Sequence, residues 1–373
     1  MWGFEGLDVV LPEGTRVASP TRSVATLRFH DWSAVTALLV RDQAGLFEAY
    51  LDGQFDFDPG EREPSEALLD ALRVFDEQSS DYRWVMASLS SSRHFWQQNT
   101  QSRREKLSTH YSVDPAFWLC FLSNRYPIYS HYLFEEHEGW EAWPAACERK
   151  LQFAIDACRL RPGDRVLNVG EGWGGWMTYA GTHGLRTTSI TLNDQSYEAC
   201  LAKRSREGLE QAELVKGDFY HYRSDEPFDG ITNMGVTEHL TDYDGLMANY
   251  ARLLKSGGHV YCDFVGTAYG SPFRSLIQKY VYPGAEAVFL PRLISAAARS
   301  GTMDVVATYD DRLSYDKTCV AWARNVEAQQ RYIVENFGER QYRWIWSYLW
   351  MCVHGFRTFK NGITGTRVVL RRR

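Results

Sequence analysis

A regular alternation of strand and helix patterns over residues 165–264 constrains the fold of this chain most. Five short runs rich in β-branched and apolar residues predict strands: RVLNVG (165–170), RTTSITL (186–192), AELVKGD (212–218), DGITNMG (229–235) and GHVYCDF (258–264). Helical patterns lie between them, as in QSYEACLAKRSREGL and DGLMANYARLLKSGG. This order predicts an α/β fold with a doubly wound, mainly parallel sheet, whose ligands bind at the carboxyl ends of the strands. TMDVVATYDD (302–311) and TRVVLRRR (366–373) predict closing strands.

The first of these strands runs into a glycine-rich turn, NVGEGWGGW, at 168–176. Its glycines allow a tight turn and a close approach of the backbone to a ligand at the start of the next helix. The pattern also satisfies GxGxxG, so a dinucleotide and S-adenosylmethionine compete as cofactors. The later chain favours S-adenosylmethionine, because PFDGITNMG, LLKSGGHVY and the acid Asp218 at the end of the third strand are laid out as in class I methyltransferases.

Composition excludes some classes of function. The net charge is −6, and residues 1–100 hold 16 acidic residues against 8 arginines and no lysine, a net charge of −8. Nucleic acid is therefore not expected as a partner, since phosphate binding needs a basic face. The basic tail TRVVLRRR is a candidate contact with an anionic membrane, or a solvated charged terminus.

The seven cysteines are scattered without a CxxC pair, which predicts neither a disulfide framework nor a structural zinc site, and we expect no metal. The N-terminal sequence lacks the pattern of a signal peptide, and WIWSYLWMCV (344–353) is too short to span a bilayer and predicts a buried helix. We expect a cytoplasmic protein, with peripheral contact at the inner membrane face as an option.

Two domains are predicted. Residues 1–100 contain a strand (SVATLRFHDW), two amphipathic helices and an acidic loop (FDFDPGEREP), which indicates an N-terminal accessory domain. A linker is predicted at 86–106. Residues 101–373 would form the catalytic domain, beginning with an aromatic-rich, irregular stretch at 107–145.

Matching stretches along most of the chain are more specific than the fold. GLFEAYLDGQFDFD, NTQSRREKLSTHYSVDPAFW, YSHYLF, GEGWGGW, FDGITNMGVTEH, LIQKYVYPGAE, SYDKTCVAW and GFRT follow one another in order. Together they resemble the cyclopropane-fatty-acyl-phospholipid synthases and the related mycolic acid methyltransferases. The resemblance implies an S-adenosyl-L-methionine-dependent methyltransferase with a class I (Rossmann-like) fold, working as a dimer on lipid.

By position, the resemblance implies a set of cofactor contacts. Tyr129 and Ser130 would meet the methionine end, and Thr191 and Leu192 the ribose and adenine. Gln195 stands one position closer to Thr191 than the family's glutamine. The other implied contacts are Gly170, Gly172 and Trp173 along the cofactor, and Asp218, Phe219 and Met234 around the adenine.

The family reaction is attack of an alkene on the sulfonium methyl, which gives a carbocation; loss of a proton from the new methyl then closes a cyclopropane ring. In the family a bound bicarbonate accepts this proton. Of its expected ligands, Glu238, Tyr315 and the backbone of Val265 match here, whereas His131 replaces a cysteine and Asp263 replaces a histidine.

The replacements matter electrostatically. A second carboxylate beside Glu238 repels an anion unless His131 is protonated or one acid is neutral. We therefore hypothesise that bicarbonate is lost or weakly held, and that Glu238, Asp263 or His131 acts as a direct base or binds a polar group of another substrate. The alternative is that Asp263 and His131 pair only as structural neighbours.

Two further departures lie in the glycine turn. Asn168 replaces an aspartate, and Glu171 replaces a cysteine between the first two glycines. The carboxylate of Glu171 would meet the cofactor's ammonium or face solvent.

The leading hypothesis is methyl transfer to carbon of an unsaturated lipid acyl chain or similar apolar alkene, with or without ring closure. The altered base site leaves open a small-molecule C- or N-methyltransferase of specialised metabolism. A non-catalytic lipid- or cofactor-binding module and a nicotinamide-dependent oxidoreductase are more distant alternatives. The N-terminal domain would serve dimerisation or lipid docking; its −8 charge favours another subunit over an anionic membrane.

Overall fold

The computed structural model describes residues 5–39, 43–78, 114–122, 125–270, 284–359 and 362–373. The predicted linker at 86–106, most of the motif beginning at 99 and residues 276–283 of the motif LIQKYVYPGAE lie outside these ranges. The chain forms two compact units, residues 1–100 with 326–354, and residues 101–325 with 355–373. The predicted accessory region thus shares its unit with a C-terminal segment, and its proposed roles stay predictions.

The larger unit is built on a seven-stranded sheet. Its strands are β5 (Arg165–Val169), β6 (Arg186–Thr191), β7 (Ala212–Lys216), β8 (Phe228–Met234), β9 (Leu254–Thr267), β10 (Met303–Asp310) and β11 (Ile363–Arg372). Their order is β10-β11-β9-β8-β5-β6-β7, parallel from β9 to β7, with β11 antiparallel to both neighbours. The predicted strands and the mainly parallel sheet are confirmed.

Helices connect these strands. In this unit they are α4 (Pro115–Leu119), α5 (Trp143–Ala157), α6 (Gly175–Thr182), α7 (Asp194–Glu207), α8 (Tyr243–Leu253), α9 (Leu290–Ser300) and α10 (Arg312–Ala328). Helix α11 (Gln330–Phe337) and most of α12 (Glu339–Thr358) belong to the smaller unit. From β5 the chain adds β6 and β7 on one side and then returns to add β8 and β9 on the other. A reversal of this kind opens a crevice at the carboxyl ends of β5 and β8, where ligands of open α/β sheets bind.

Strand β9 is longer than predicted. It begins directly after α8 at Leu254 and continues through the two glycines that end the predicted helical pattern DGLMANYARLLKSGG. Gly257 has φ +77°, and the pairing with β8 shifts register between Phe228 and Gly230. The glycines therefore form a bulge within the strand, which the left-handed conformation of Gly257 makes possible.

The basic tail is part of the sheet. Val368, Val369 and Leu370 are buried in β11, and Arg371 and Arg373 pair with Asp304 on the neighbouring β10. The predicted closing strand is therefore confirmed: a continuous run of buried residues holds this segment between β9 and β10, and only its end at Arg371–Arg373 stays partly exposed.

The smaller unit has a four-stranded sheet in the order β2-β1-β3-β4. Its elements are β1 (Leu7–Val10), β2 (Arg16–Val17), β3 (Ala25–Phe29), α1 (Trp32–Leu39), α2 (Gln43–Leu51), β4 (Phe55–Asp58) and α3 (Pro64–Gln78). The predicted acidic loop FDFD is wrong: it is β4, antiparallel to β3, with Phe55 buried. The segment alternates strictly between apolar and polar residues, which is typical of a strand, but its acidic residues favoured the prediction of a loop.

Helix α12 contains the predicted buried segment. Ile345, Leu349, Trp350 and Val353 are buried, which confirms that prediction. Among the residues that the structure describes, no helix is long and apolar enough to cross a bilayer.

Candidate active site

The glycine turn shapes one wall of a cavity. Gly170, Gly172 and Gly174 follow β5 with φ angles of +82°, +61° and +87°, and α6 begins at the next residue. A Cβ atom on Gly170 would overlap Cγ2 of Val236. Glycine is thus needed at this position both for its left-handed conformation and for the close packing of the turn on the segment after β8.

The cavity lies where β5, β6, β7 and β8 end. It is lined by every predicted cofactor residue except Ser130 and Gln195, namely Tyr129, Gly170, Glu171, Gly172, Trp173, Thr191, Leu192, Asp218, Phe219 and Met234. The structure therefore brings these positions together, although their contacts with a cofactor stay predictions. Ser130 is buried beside the cavity residue Gly235, and Gln195 lies in the first turn of α7.

Part of the lining was not predicted from the sequence. Asn193 caps α7 by accepting a hydrogen bond from the Ser196 amide at 2.7 Å, and the Ser196 hydroxyl donates to the Gly172 carbonyl. Both residues face the cavity, as do Val236 and His239 after β8. An asparagine directly before a helical pattern is a helix-start signal, and it would have placed the positive end of α7 at the cavity.

Glu171 does not face solvent, so that alternative is wrong. Its carboxylate accepts hydrogen bonds from Asn168 Nδ2 at 2.7 Å, Ser189 Oγ at 2.5 Å and the Met177 amide at 2.9 Å. Burial raises the pKa of Glu171, although these three donors oppose the rise. The two departures from the family's turn therefore form one internal pair, in which Asn168 binds the carboxylate that Glu171 introduces.

A second polar cluster lies beside the cavity at the end of β9. The Gly235 amide, at the cavity wall, donates to the Asp263 carbonyl at 3.0 Å. The Asp263 carboxylate lies 3.0 Å from the ammonium of Lys150, and both side chains are 0 % exposed. Lys150 also donates to the hydroxyl of Ser130. A buried ion pair thus connects helix α5, strand β9 and the segment that carries Tyr129.

His131 is held mainly by a residue other than Asp263. Its Nε2 lies 3.0 Å from Asp311 Oδ2, whereas its Nδ1 lies 3.9 Å from Asp263 Oδ1. Asp311 also receives two hydrogen bonds from Arg367, at 2.5 and 2.9 Å. Burial tends to raise the pKa of Asp311, but His131 and Arg367 outweigh it and lower that pKa to about 2. Asp311 is therefore a carboxylate with two buried partners.

Tyr315 stacks on the His131 ring. The two rings stack with centroids 4.9 Å apart, and Tyr315 stacks in turn on Phe356 at 4.3 Å. The structure therefore brings Tyr315 together with His131 and Asp263, as the resemblance implies.

Glu238 is a buried carboxyl group of this cluster. It lies in a 3-10 turn, Thr237–His239, and its Oε1 accepts a hydrogen bond from the Val265 amide at 2.6 Å. Oε2 is buried and has no hydrogen-bond partner among the described residues. Burial, assisted by the charge of Asp263, raises the pKa of Glu238 to about 8, against the Val265 hydrogen bond and the charge of Lys150. A carboxyl group with this pKa takes up or releases a proton near neutrality.

Sequence reasoning missed Lys150, Asp311 and Arg367. A signal exists for Lys150, which lies midway between Ala146 and Ala154 at helical spacing and therefore on the apolar face of α5. A lysine on such a face needs a buried anion.

Aromatic rings adjoin the cavity on the side of α4. Tyr129 lies 4.9 Å from Trp118 and 5.1 Å from Trp322, measured between ring centroids, and Trp118 stacks on Trp173 at 6.2 Å. Because Tyr129 and Trp173 line the cavity, these rings can exclude water and place π faces near a positive charge.

Comparisons with known proteins agree with this geometry. The chain is 26% identical to the sphingolipid C9-methyltransferase of Candida albicans over 261 residues, which cover 65% of this chain and 50% of that protein. It is 29% identical to the cyclopropane-fatty-acyl-phospholipid synthase of Escherichia coli K12 over 219 residues, 57% of this chain and 55% of that protein. The chain thus spans about half the length of these curated relatives.

Among solved structures, mycolic acid cyclopropane synthase CmaA1, complexed with SAH and CTAB, matches with a TM-score of 0.65 at 22% identity, over 73% of this chain and 99% of that one. This likeness confirms the class I methyltransferase fold. A family model for mycolic acid cyclopropane synthetase matches residues 98–364, well over half of the chain. The predicted resemblance is confirmed, and the chain belongs to the mycolic acid cyclopropane synthetase family.

Proposed function

We propose that this chain transfers a methyl group from S-adenosylmethionine to a carbon of an unsaturated acyl chain in a lipid. The observation that carries the proposal is that one family-matched stretch, residues 98–364, contributes both the glycine-turn cavity and the buried Glu238 beside it. The names of the relatives support a lipid acceptor, since they include a sphingolipid methyltransferase and a phospholipid-modifying synthase.

The cavity residues suit an adenosyl group bearing an amino acid. Ile190, Phe219 and Leu240 supply apolar surfaces for a flat base, and Asp218 and Thr191 supply polar groups for its edges and for a ribose. Among the residues that the structure describes, the cavity lining contains no lysine or arginine, which suits a cationic cofactor better than the phosphates of a dinucleotide.

When bound, S-adenosylmethionine supplies an electrophilic methyl group. The chain's own contribution is to hold an alkene beside it, exclude water and accept a proton. Tyr129 and Trp173 would cover the reacting groups with aromatic faces that tolerate positive charge. Glu238 Oε2 would accept the proton released by the methylated acyl chain, which gives this chain a protein base in place of bicarbonate.

The test is an assay of the purified chain with S-adenosylmethionine and vesicles of an unsaturated phospholipid, an unsaturated sphingolipid or a saturated phospholipid. With either unsaturated lipid we expect release of S-adenosylhomocysteine and a mass gain of one CH₂. With the saturated phospholipid we expect neither. With a trideuterated methyl donor, a cyclopropane or methylene product keeps two deuterium atoms, whereas a methyl branch formed by proton loss from the chain keeps three. Turnover of amines but not of lipids would overturn the lipid proposal in favour of a small-molecule methyltransferase. Cofactor binding without turnover would favour a binding module.

We further propose that the chain is a homodimer that contacts membranes peripherally while it works. The acidic N-terminal region favours pairing between subunits over attraction to anionic lipid. Light scattering after size exclusion should give twice the mass of the chain, and flotation should show reversible binding to unsaturated vesicles. A protein that is monomeric and does not float with vesicles would contradict both statements.

A further inference from the structure

Lys150 and Asp263 form a completely buried pair of opposite charges next to the proposed base. The ammonium of Lys150 lies 3.0 Å from Asp263 Oδ2, and neither side chain is exposed to solvent. In an interior of low dielectric, charges interact more strongly than in water and are screened little by salt. Each member of this pair therefore acts on any ionisable group beside it.

Glu238 is such a group, because it is bound to β9 two residues after Asp263, at Val265. One of its oxygens is fixed by the Val265 amide at 2.6 Å, and the other has no hydrogen-bond partner among the described residues. The ionisable groups that interact with it come from several elements: Asp263 and Cys262 on β9, Lys150 on α5 and Tyr243 on α8. His131 approaches the far side of Asp263, and His239 is the next residue along its own turn.

We propose that Lys150 and Asp263 are paired positioning residues that set, with opposite signs, how readily Glu238 takes up and releases a proton. The ammonium of Lys150 favours the carboxylate form of Glu238, and the carboxylate of Asp263 opposes it. The pair carries no net charge, so Glu238 can become an anion beside it without facing an uncompensated neighbour. The inference rests on the proposed function where it makes Glu238 the base, but the coupling of charges needs no catalysis.

Lys150 also links this charge to the wall of the cavity. It donates to the hydroxyl of Ser130, which follows the cavity residue Tyr129. The same ammonium therefore holds the aromatic segment and balances Asp263.

The test compares the free energies of unfolding of Glu238 and Glu238→Gln proteins across pH, in four backgrounds: wild type, Lys150→Met, Asp263→Asn and the double variant. The pKa of Glu238 rises from 4.5 to about 8 on folding. The stability of the Glu238 protein relative to the Gln protein therefore falls as pH rises between these two values, and it becomes constant near pH 8, which we call the levelling point. We expect the levelling point to move to higher pH in Lys150→Met and to lower pH in Asp263→Asn, each by about one unit. The double variant should return towards wild type.

A merely structural role for the pair lowers stability in both single variants without moving the levelling points in opposite directions, and that result would overturn the proposal. If Lys150→Met does not fold, the comparison of Asp263→Asn with the double variant isolates the effect of Lys150, and coincident levelling points there overturn it. Activity is a separate readout. Opposite shifts without turnover of any lipid would defeat the proposed function alone, and turnover without opposite shifts would defeat this inference alone.

Discussion

His131 and Asp311, 180 residues apart in sequence, are joined by a buried contact of 3.0 Å between Nε2 and Oδ2. The histidine that replaces the family's cysteine is therefore anchored to a carboxylate that Arg367 also binds. Asp263, the other replacement, is paired with Lys150 instead. The two departures therefore have different main partners, although His131 Nδ1 and Asp263 Oδ1 also lie 3.9 Å apart. The hypothesis that they are only structural neighbours stays a prediction.

The first prediction concerns Asp311. Replacing it with Asn removes the buried charge that Arg367 and His131 require, and the unfolding free energy should fall by about 3 kcal/mol because an unpaired guanidinium is left inside. Asp304→Asn is the matched control, since Asp304 also binds two arginines but lies in a more exposed position. Denaturant unfolding checks the pair, and equal losses in the two variants would contradict the role given to burial.

The second prediction is a pH profile. A base must be ionised to accept a proton, and Glu238 has a pKa raised to about 8, so kcat/KM should fall as pH decreases through that value. Glu238→Gln should lose about 10²- to 10⁴-fold in kcat and show no such limb. Glu286→Gln, in which the half-exposed carboxyl near Arg292 is neutralised, should keep both rate and profile. A wild-type profile that stays flat between pH 6 and 9 would exclude Glu238 as the base.

The third prediction concerns Glu171. Replacement by Ala leaves the donors Asn168, Ser189 and Met177 unsatisfied in the interior, which should cost about 3 kcal/mol of stability and weaken cofactor binding at the turn. Glu213→Ala is the control, because this exposed glutamate accepts a single hydrogen bond from Thr188 and should cost less than about 1 kcal/mol. Unfolding curves and calorimetric titration with S-adenosylmethionine measure both effects; a stable Glu171→Ala protein with unchanged affinity would refute the assigned role.

The fold and the cavity could be predicted from the sequence because their signals are local. Strand and helix periodicity indicates most elements of the larger sheet, and four glycines in nine residues mark a turn in which three of them have angles that exclude most side chains. The family resemblance then placed positions such as Thr191 and Asp218 at one end of the sheet, where the structure has them.

The ionic cluster could not be predicted in the same way. Lys150, Asp263 and Asp311 lie on different elements far apart in sequence, and only the fold brings them into contact. The orientation of Glu171 could not be predicted from the sequence for a related reason. Its donors come from β5, β6 and α6, so the choice between solvent, cofactor and interior was decided by tertiary contacts rather than by its neighbours in the turn.

The last prediction separates backbone strain from overlap at the turn. Gly170→Ala and Gly172→Ala both force a side chain into a left-handed conformation, which costs about 1–2 kcal/mol in each case. Only Gly170→Ala also overlaps Val236, whereas a Cβ on Gly172 meets nothing within 4 Å. Gly170→Ala should therefore lose about 1–3 kcal/mol more and bind S-adenosylmethionine more weakly than Gly172→Ala.

Val236→Ala supplies the decisive comparison, because it removes the methyl group that a Cβ on Gly170 would overlap. In the double variant Gly170→Ala/Val236→Ala, the excess loss of stability should disappear, while the loss due to the left-handed backbone remains. The stability of this variant should therefore match that of the double variant Gly172→Ala/Val236→Ala. Denaturant unfolding of wild type, Gly170→Ala, Val236→Ala and their double variant measures the coupling between these two sites. Additive losses at Gly170 and Val236 would mean that the turn moves away from the β8 segment instead of packing against it, and the close approach inferred for Gly170 would then not be what requires glycine.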